Sequence, residues 1–330
     1  MTKFFILVLT FLSVNMLKAQ SYAGPESVDY YPTSDLFVVS NSGNGQILTS
    51  DISGNLSVLC SGVGTGPHGL EVVQDVVYAC SGGNLKGYDI NTGNQVLNYS
   101  LGGQFLNGIT YHDGYLYLTD FSAKILYQYN LATESHTLFA SFNSTPNGVV
   151  YDYLLDRLIV VGWGSNAPIW EVSLGDTSVT VLRNTNHSNI DGIALDPCGN
   201  YYVSVWGNNA IYQYNSDFSI PQVLTLGQNQ PADIFYESNN QVLAVPNSGN
   251  NSVNFISINC NPSTVLENAF EKFSQSDEQL IFNDLHEKVL YNELGQELWR
   301  GKQSQMYIGN LKTGVYILKG TNWSQKVFIP

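Results

Sequence analysis

The chain has 330 residues, room for one large domain and one small one, with 43% hydrophobic side chains, only 12% charged and a net charge of −14. Few charges beside 30 Gly and 21 Tyr point to an all-β protein held by many tight turns. The acidity excludes nucleic acid as a partner, because the surface repels phosphates at every approach.

Residues 1–20 read as a secretory signal peptide. Lys3 supplies the positive charge, residues 4–12 form an apolar run, and Ala19-Gln20 offers a small-residue cleavage point before Ser21. That run is too short for a comfortable membrane anchor, and no later segment reaches spanning length. A soluble protein that passes the periplasm and ends secreted or on the cell surface is expected.

Residues 21–260 carry an internal repeat. Pro67-His68-Gly69-Leu70, Leu106-Asn107-Gly108-Ile109, Pro146-Asn147-Gly148-Val149 and Ile190-Asp191-Gly192-Ile193 share the form x-x-Gly-apolar. Pro25-Glu26-Ser27-Val28 and Pro231-Ala232-Asp233-Ile234 fit with the glycine replaced. The third positions are separated by 42, 39, 40, 44 and 41 residues. A period near forty, filled with short strands, predicts a β-propeller of six four-stranded blades. Within a unit come a short apolar strand, a turn such as His112-Asp113-Gly114, an alternating aromatic strand such as Tyr115-Leu116-Tyr117-Leu118, and two further strands.

Residues 261–330 lose the period, and the charge balance steps with it. Residues 21–260 hold 4 Lys and Arg against 19 Asp and Glu, whereas residues 261–330 hold 7 against 8. The tail is expected to be a separate module of linker and small β-sandwich. Its strand–turn–strand at Val289-Leu290-Tyr291-Asn292-Glu293-Leu294-Gly295-Gln296-Glu297 and its Leu311-Lys312-Thr313-Gly314-Val315-Tyr316-Ile317-Leu318-Lys319 stretch resemble the C-terminal sorting domain of type 9 secretion cargo. That resemblance implies the secretion machinery as the tail's partner, as against an ordinary accessory β-domain.

The repeats resemble the six-bladed NHL-type group that contains gluconolactonases, paraoxonases and strictosidine-synthase-like proteins. Gly24-Pro25-Glu26-Ser27 followed by Asp29, and Ile190-Asp191-Gly192-Ile193-Ala194-Leu195-Asp196, carry the resemblance. In a propeller the starts of the innermost strands converge on a central channel. The second repeat position then contributes Glu26, His68, Asn107, Asn147 and Asp191, with Asp233 displaced by one. Hard carboxylate and amide oxygens on one axis suit Ca2+, although Asn and Asp are also ordinary turn residues. The resemblance implies the same ion, held by Glu26, Asn107, Asn147 and Asp191.

The leading functional expectation is a Ca2+-dependent hydrolase in which Asp191, Asp233 or His68 activates water. The alternative is a non-catalytic propeller that binds a glycan, peptide or protein. No arginine joins the channel series, so the expected ligand is a small neutral lactone or ester, or a glycan, and a monomer is expected. Trp163 and Trp206, aligned with Asp120, Asn41 and Asn247 after the second strands, are candidate walls of a substrate pocket.

The cysteines at 60, 80, 198 and 260 allow three pairings in an exported chain. Cys60–Cys80 and Cys198–Cys260 are the expected bonds, joining neighbouring blades.

Overall fold

A computed structural model describes residues 20–260 and, in the tail, residues 273–275, 279–282, 288–291, 297–312, 314–319 and 324–329. Residues 1–19, nearly all of the segment 1–20 expected to be a signal peptide, and residues 261–272 that follow the repeats lie outside the described residues. The described residues contain no helix long and apolar enough to cross a membrane.

Residues 25–257 form six antiparallel sheets, each a meander of consecutive strands. The first is β1 (Pro25–Tyr31), β2 (Leu36–Asn41), β3 (Gln46–Ser50) and β4 (Leu56–Ser61). The second is β5 (Leu70–Val73), β6 (Val76–Ser81), β7 (Asn84–Asp89) and β8 (Gln95–Ser100). The third is β9 (Leu106–His112), β10 (Tyr115–Asp120), β11 (Ile125–Asn130) and β12 (Ser135–Ser141). The fourth is β13 (Pro146–Asp152), β14 (Arg157–Gly162), β15 (Pro168–Ser173) and β16 (Val179–Asn184). The fifth is β17 (Ile190–Leu195), β18 (Tyr201–Val205), β19 (Ala210–Tyr214) and β20 (Gln222–Leu226). The sixth is β21 (Phe235–Glu237), β22 (Val242–Asn247) and β23 (Ser252–Ser257). This is a six-bladed β-propeller.

The sixth blade departs from the expected four strands, holding three among the described residues. The ring closes instead by direct packing of the last blade on the first, where the Asp233 N–H donates to the Glu26 carbonyl at 2.9 Å. Apolar residues fill the wedges between blades. Val161, Ala167, Ile193, Val203 and Tyr212, for example, form one buried cluster between the fourth and fifth.

The repeat glycines are required by close approach rather than by a left-handed turn. A Cβ on Gly69 would lie 2.1 Å from the Asn107 carbonyl oxygen, and one on Gly148 would lie 2.6 Å from that of Asp191. Innermost strands of neighbouring blades therefore touch backbone to backbone, as in the 2.9 Å bond from Gly69 N–H to Asn107 O. Where the ring closes, Ser27 and Asp233 replace glycine, and the Ser27 hydroxyl donates to Asp233 Oδ2 at 2.9 Å.

Cys198 and Cys260 form a disulfide that ties the end of the last blade to a turn of the fifth. The expected Cys60–Cys80 bond is absent, and both thiols are free and buried. Cys60 sits on outer strand β4, facing Ile47. Cys80 sits on β6, with its sulfur 4.0 Å from the Gly108 carbonyl at the channel wall. Cys60 packs with Val77 and Ala79 between the first and second blades, whereas Cys80 points to the other face of β6 and packs with Leu106 and Ile109.

The tail contains β24 (Phe273–Gln275), β25 (Gln279–Phe282), β26 (Lys288–Tyr291), β27 (Glu297–Gly301), β28 (Gln305–Tyr307), β29 (Gly314–Lys319) and β30 (Ser324–Ile329). They make two sheets, β24-β25-β28 and β27-β26-β29-β30. Leu280 and Met306 from the first sheet pack with Leu290, Tyr316, Leu318 and Val327 from the second in one core, so the tail is a small β-sandwich.

Candidate functional site at the channel mouth

Four of the channel residues are aimed by a bulge. β1 pairs Pro25 with Asn41 and then Val28 with Val39, leaving Glu26 and Ser27 opposite Ser40 alone. The same two-against-one break places Asn107 in β9, Asn147 in β13 and Asp191 in β17. The backbone N–H freed by the bulge finds a hydroxyl on the second strand. Ser27 N–H donates to Ser40 Oγ at 2.8 Å, Gly108 N–H to Thr119 Oγ1 at 2.8 Å, and Gly192 N–H to Ser204 Oγ at 2.7 Å. Thr119 and Ser204 then donate to the next blade, to the carbonyls of Asn147 and Ala232, each at 2.6 Å. Cys80 takes the corresponding place in the second blade.

The mouth is a connected set of oxygens. Asn107 Nδ2 donates to Asn147 Oδ1 at 2.5 Å, and Asn147 Nδ2 donates to the Ile190 carbonyl, next to Asp191, at 3.3 Å. Asp191 is buried, and its carboxyl is held well above the usual carboxylate range by burial and then by the nearby Glu26 and Asp233. Burial pushes Glu26 up to about 7, against a hydrogen bond from Ser42. Burial likewise pushes Asp233 up to about 7, against the Ser27 hydroxyl. His68 stands apart, edge-on to Phe105 at 4.7 Å, and desolvation lowers it to about 4, so it is neutral at pH 7.

None of the propeller's cationic side chains answers these carboxylates. Lys86 donates to the Val63 carbonyl and Lys124 is exposed. Arg157 pairs with Asp152 and Glu171, and Arg183 donates to the Phe218 and Ser219 carbonyls. Acidic and amide oxygens without a protein cation form a donor set suited to a hard metal ion. Among the described residues, the group of three His, Cys, Asp or Glu whose ligand atoms lie within 4.8 Å of one another is Asp196, Cys198 and Cys260. Its two sulfurs are spent in the disulfide, so it offers no thiolate.

Further along the innermost strands lies a cavity of about 130 Å³. Asp29, Glu71, Thr110 and Asp233 line it together with apolar side chains. Burial pushes Asp29 up to about 7 although it accepts the backbone N–H groups of Val72 at 2.5 Å and Tyr30 at 2.7 Å. Burial, and then repulsion from Asp29, holds Glu71 well above its usual range. Sequence reading missed this second acidic tier as part of the channel. The signal was period-two alternation: positions 27 and 29 share one face of β1, and positions 69 and 71 correspond to them in the second blade.

The pocket-wall alignment was wrong by one residue. Strand register pairs the first repeat position with Asn41, Asp120 and Asn247, but with Gly162 and Val205 in the fourth and fifth blades. Trp163 and Trp206 therefore correspond to Phe121, not to Asp120. A one-residue offset reverses the facing of a side chain. Asp120 is fully buried and accepts the backbone N–H groups of Gln104 at 2.7 Å and Ala123 at 2.9 Å, so it fixes two loops. Asn41 and Asn247 do the same, accepting the N–H groups of Ala23 and Asn229. Phe121, Trp163 and Trp206 instead touch in sequence, with centroids 5.8 and 5.5 Å apart. Phe105 extends the line to His68, lying 5.4 Å from Phe121.

No protein-family model matches the chain, and no curated protein matches it. Solved structures do. One is a structural-genomics protein of unknown function from Bacteroides thetaiotaomicron, with TM-score 0.60, 12% identity, and 72% of this chain and 70% of that chain covered. Another is a chain of a nidogen/laminin complex, with TM-score 0.58, 16% identity and coverage of 65% and 86%. A gluconolactonase from Xanthomonas campestris matches with TM-score 0.58, 16% identity and coverage of 68% and 83%. At these identities the likeness shows the fold.

Proposed function

We propose that the chain is an exported, Ca2+-dependent propeller hydrolase acting on neutral esters or lactones at the channel mouth. The convergence of Glu26, Asn107, Asn147 and Asp191 without a cationic side chain carries this reading. The two carboxylates and the two amide oxygens would hold the ion. When bound, Ca2+ polarises a substrate carbonyl and stabilises the oxyanion that develops.

The chain's own groups divide the remaining work. Asp233 is assigned as the base for a water molecule, because it lies near Asp191 and Glu26 without being one of the four proposed ligands. The Ser27 hydroxyl orients it by holding Oδ2. His68, with its proton affinity lowered by burial, acts as a neutral hydrogen-bonding group at the rim and not as the base. Asn147→Ala should abolish Ca2+ binding and turnover together, whereas Asp233→Asn should lower turnover and leave Ca2+ binding intact. Turnover in Asn147→Ala without bound Ca2+ would reject the mechanism.

The second reading, a binding propeller without catalysis, is favoured by the continuous aromatic line beside the mouth. The nidogen propeller, found in a complex with laminin, supports the idea that such a frame can serve recognition alone. Chelator-sensitive hydrolysis across a set of aryl esters and lactones separates the two. The tail's two-sheet architecture and its paired strand motifs support a type 9 secretion address, with the signal peptide delivering the chain to the periplasm first.

A further inference from the structure

The two ends of the propeller differ in charge. Because every blade is a simple meander, loops that follow the second and fourth strands lie at the channel-mouth end, and loops that follow the first and third lie at the other. The far-end loops carry nine carboxylates, from Asp35 in the first blade to Asp217 in the fifth, and neither Lys nor Arg. The mouth-end loops hold two charged side chains, Lys124 and Asp233, and Asp233 is bound to Ser27 inside the channel. Their remaining polar side chains are Asn, Gln, Ser, Thr, Tyr and two His.

The aromatic line occupies one side of that face, whose loops are nearly uncharged although Glu26 and Asp191 stand at the channel they surround. Phe121, Trp163 and Trp206 stand at corresponding positions in blades three, four and five, while Ser42, Gly82 and Ser248 stand there in blades one, two and six. Neighbouring rings are turned 62° and 64° from one another, so they form a curved wall and not a flat shelf. All three residues are half-buried, and the Trp206 indole N–H is buried, so its ring carbons are what it shows to solvent. Around them Gln104, Ser122, Ser165, Asn166 and Asn208 are exposed and uncharged.

We infer that this half of the mouth binds a neutral oligosaccharide, whose rings stack on Phe121, Trp163 and Trp206 while its hydroxyls meet the surrounding amides and hydroxyls. Aromatic faces with neutral donors and acceptors suit polyhydroxylated rings, whose C–H faces are apolar and whose edges are polar. A curved wall fits a chain whose successive rings turn, whereas one flat fused ring system would reach a single aromatic. A charged ligand finds only one free charge on the loops, Lys124. The inference deepens the hydrolase reading and rests on the same mouth: the ester or lactone would be one borne on, or derived from, a neutral glycan.

The test uses the mature chain, tryptophan fluorescence and calorimetry, with cellohexaose, xylohexaose, maltohexaose, chitohexaose and choline as probes. At least one hexasaccharide should bind, and Trp163→Ala and Trp206→Ala should each weaken it about tenfold. Trp163→Phe should restore most of the loss, and Ca2+ affinity should be unchanged in all three variants. The inference is overturned if no hexasaccharide binds, or if binding ignores both alanine variants. Tighter binding of choline, lost in the same variants, would also overturn it by assigning the wall to an organic cation. A failed Ca2+ titration beside an intact, Trp-dependent saccharide isotherm would support the wall and reject the cation site, so the two failures stay distinct.

Discussion

Asp29→Asn should be nearly neutral for stability at pH 5 and stabilising by about 3 kcal/mol at pH 8. Asp29 lies in the channel's lower tier, fully enclosed, and burial lifts its carboxyl from 3.8 to about 7. A carboxyl whose folded value is raised stabilises the protein most below its unfolded value, and that stability is lost as pH rises through the folded value. At about 1.4 kcal/mol per unit, the three-unit rise amounts to about 4 kcal/mol in all, of which roughly 3 kcal/mol disappears between pH 5 and pH 8. Asparagine cannot ionise, so it escapes this loss. It keeps one of the two backbone N–H bonds now made to Val72 and Tyr30 and forfeits the other, a cost of about 1 kcal/mol at any pH. In chelator, the variant should therefore be about 1 kcal/mol less stable than its change in charge alone predicts, and its stability should fall less steeply toward pH 8. Urea unfolding followed by tryptophan fluorescence at one-unit steps from pH 5 to pH 9 gives both curves. Parallel curves, with a constant offset, would refute the argument that Asp29 ionises against its surroundings.

Three further predictions rest on other parts of the molecule. Cys198→Ser should cost about 4 kcal/mol, the loop entropy released when a bond across 62 residues is lost, and thiol titration of the unfolded wild type should find only Cys60 and Cys80 reactive. Gly148→Ala should cost roughly 3 kcal/mol in denaturant unfolding, because its methyl would meet the Asp191 carbonyl at 2.6 Å; a neutral result would mean the blades can separate there freely. Deleting the chain from Gly314, which removes β29 and β30, should leave the protein in the periplasm of its native host, and its appearance in the medium would reject the sorting role.

Much of the fold was legible because a propeller writes its period into the chain. The forty-residue spacing follows from blades of equal strand number, and the repeat glycine follows from neighbouring backbones meeting at the axis. The channel oxygens were legible for the same reason: one recurring position becomes one ring of side chains, so Glu26, Asn107, Asn147 and Asp191 could be lined up by counting. Counting failed where register decided. Trp163 and Trp206 stand one residue beyond the position held by Asp120, and only strand pairing revealed that Phe121 belongs with them. Counting also misplaced Cys60 and Cys80, since Cys60 meets Val77 and Ala79 on one face of β6 while strand alternation turns Cys80 to the other face.

The sequence by itself therefore determined the architecture and which residues open the innermost strands, because both depend on a period that survives in one dimension. The tertiary structure alone decided which carboxylates share the lower cavity, which rings touch around the rim, and how the ring closes on a three-stranded sixth blade. Those relations join residues as far apart as Ser27 and Asp233, 206 positions along the chain, and no local pattern carries a contact that only closure of the ring creates.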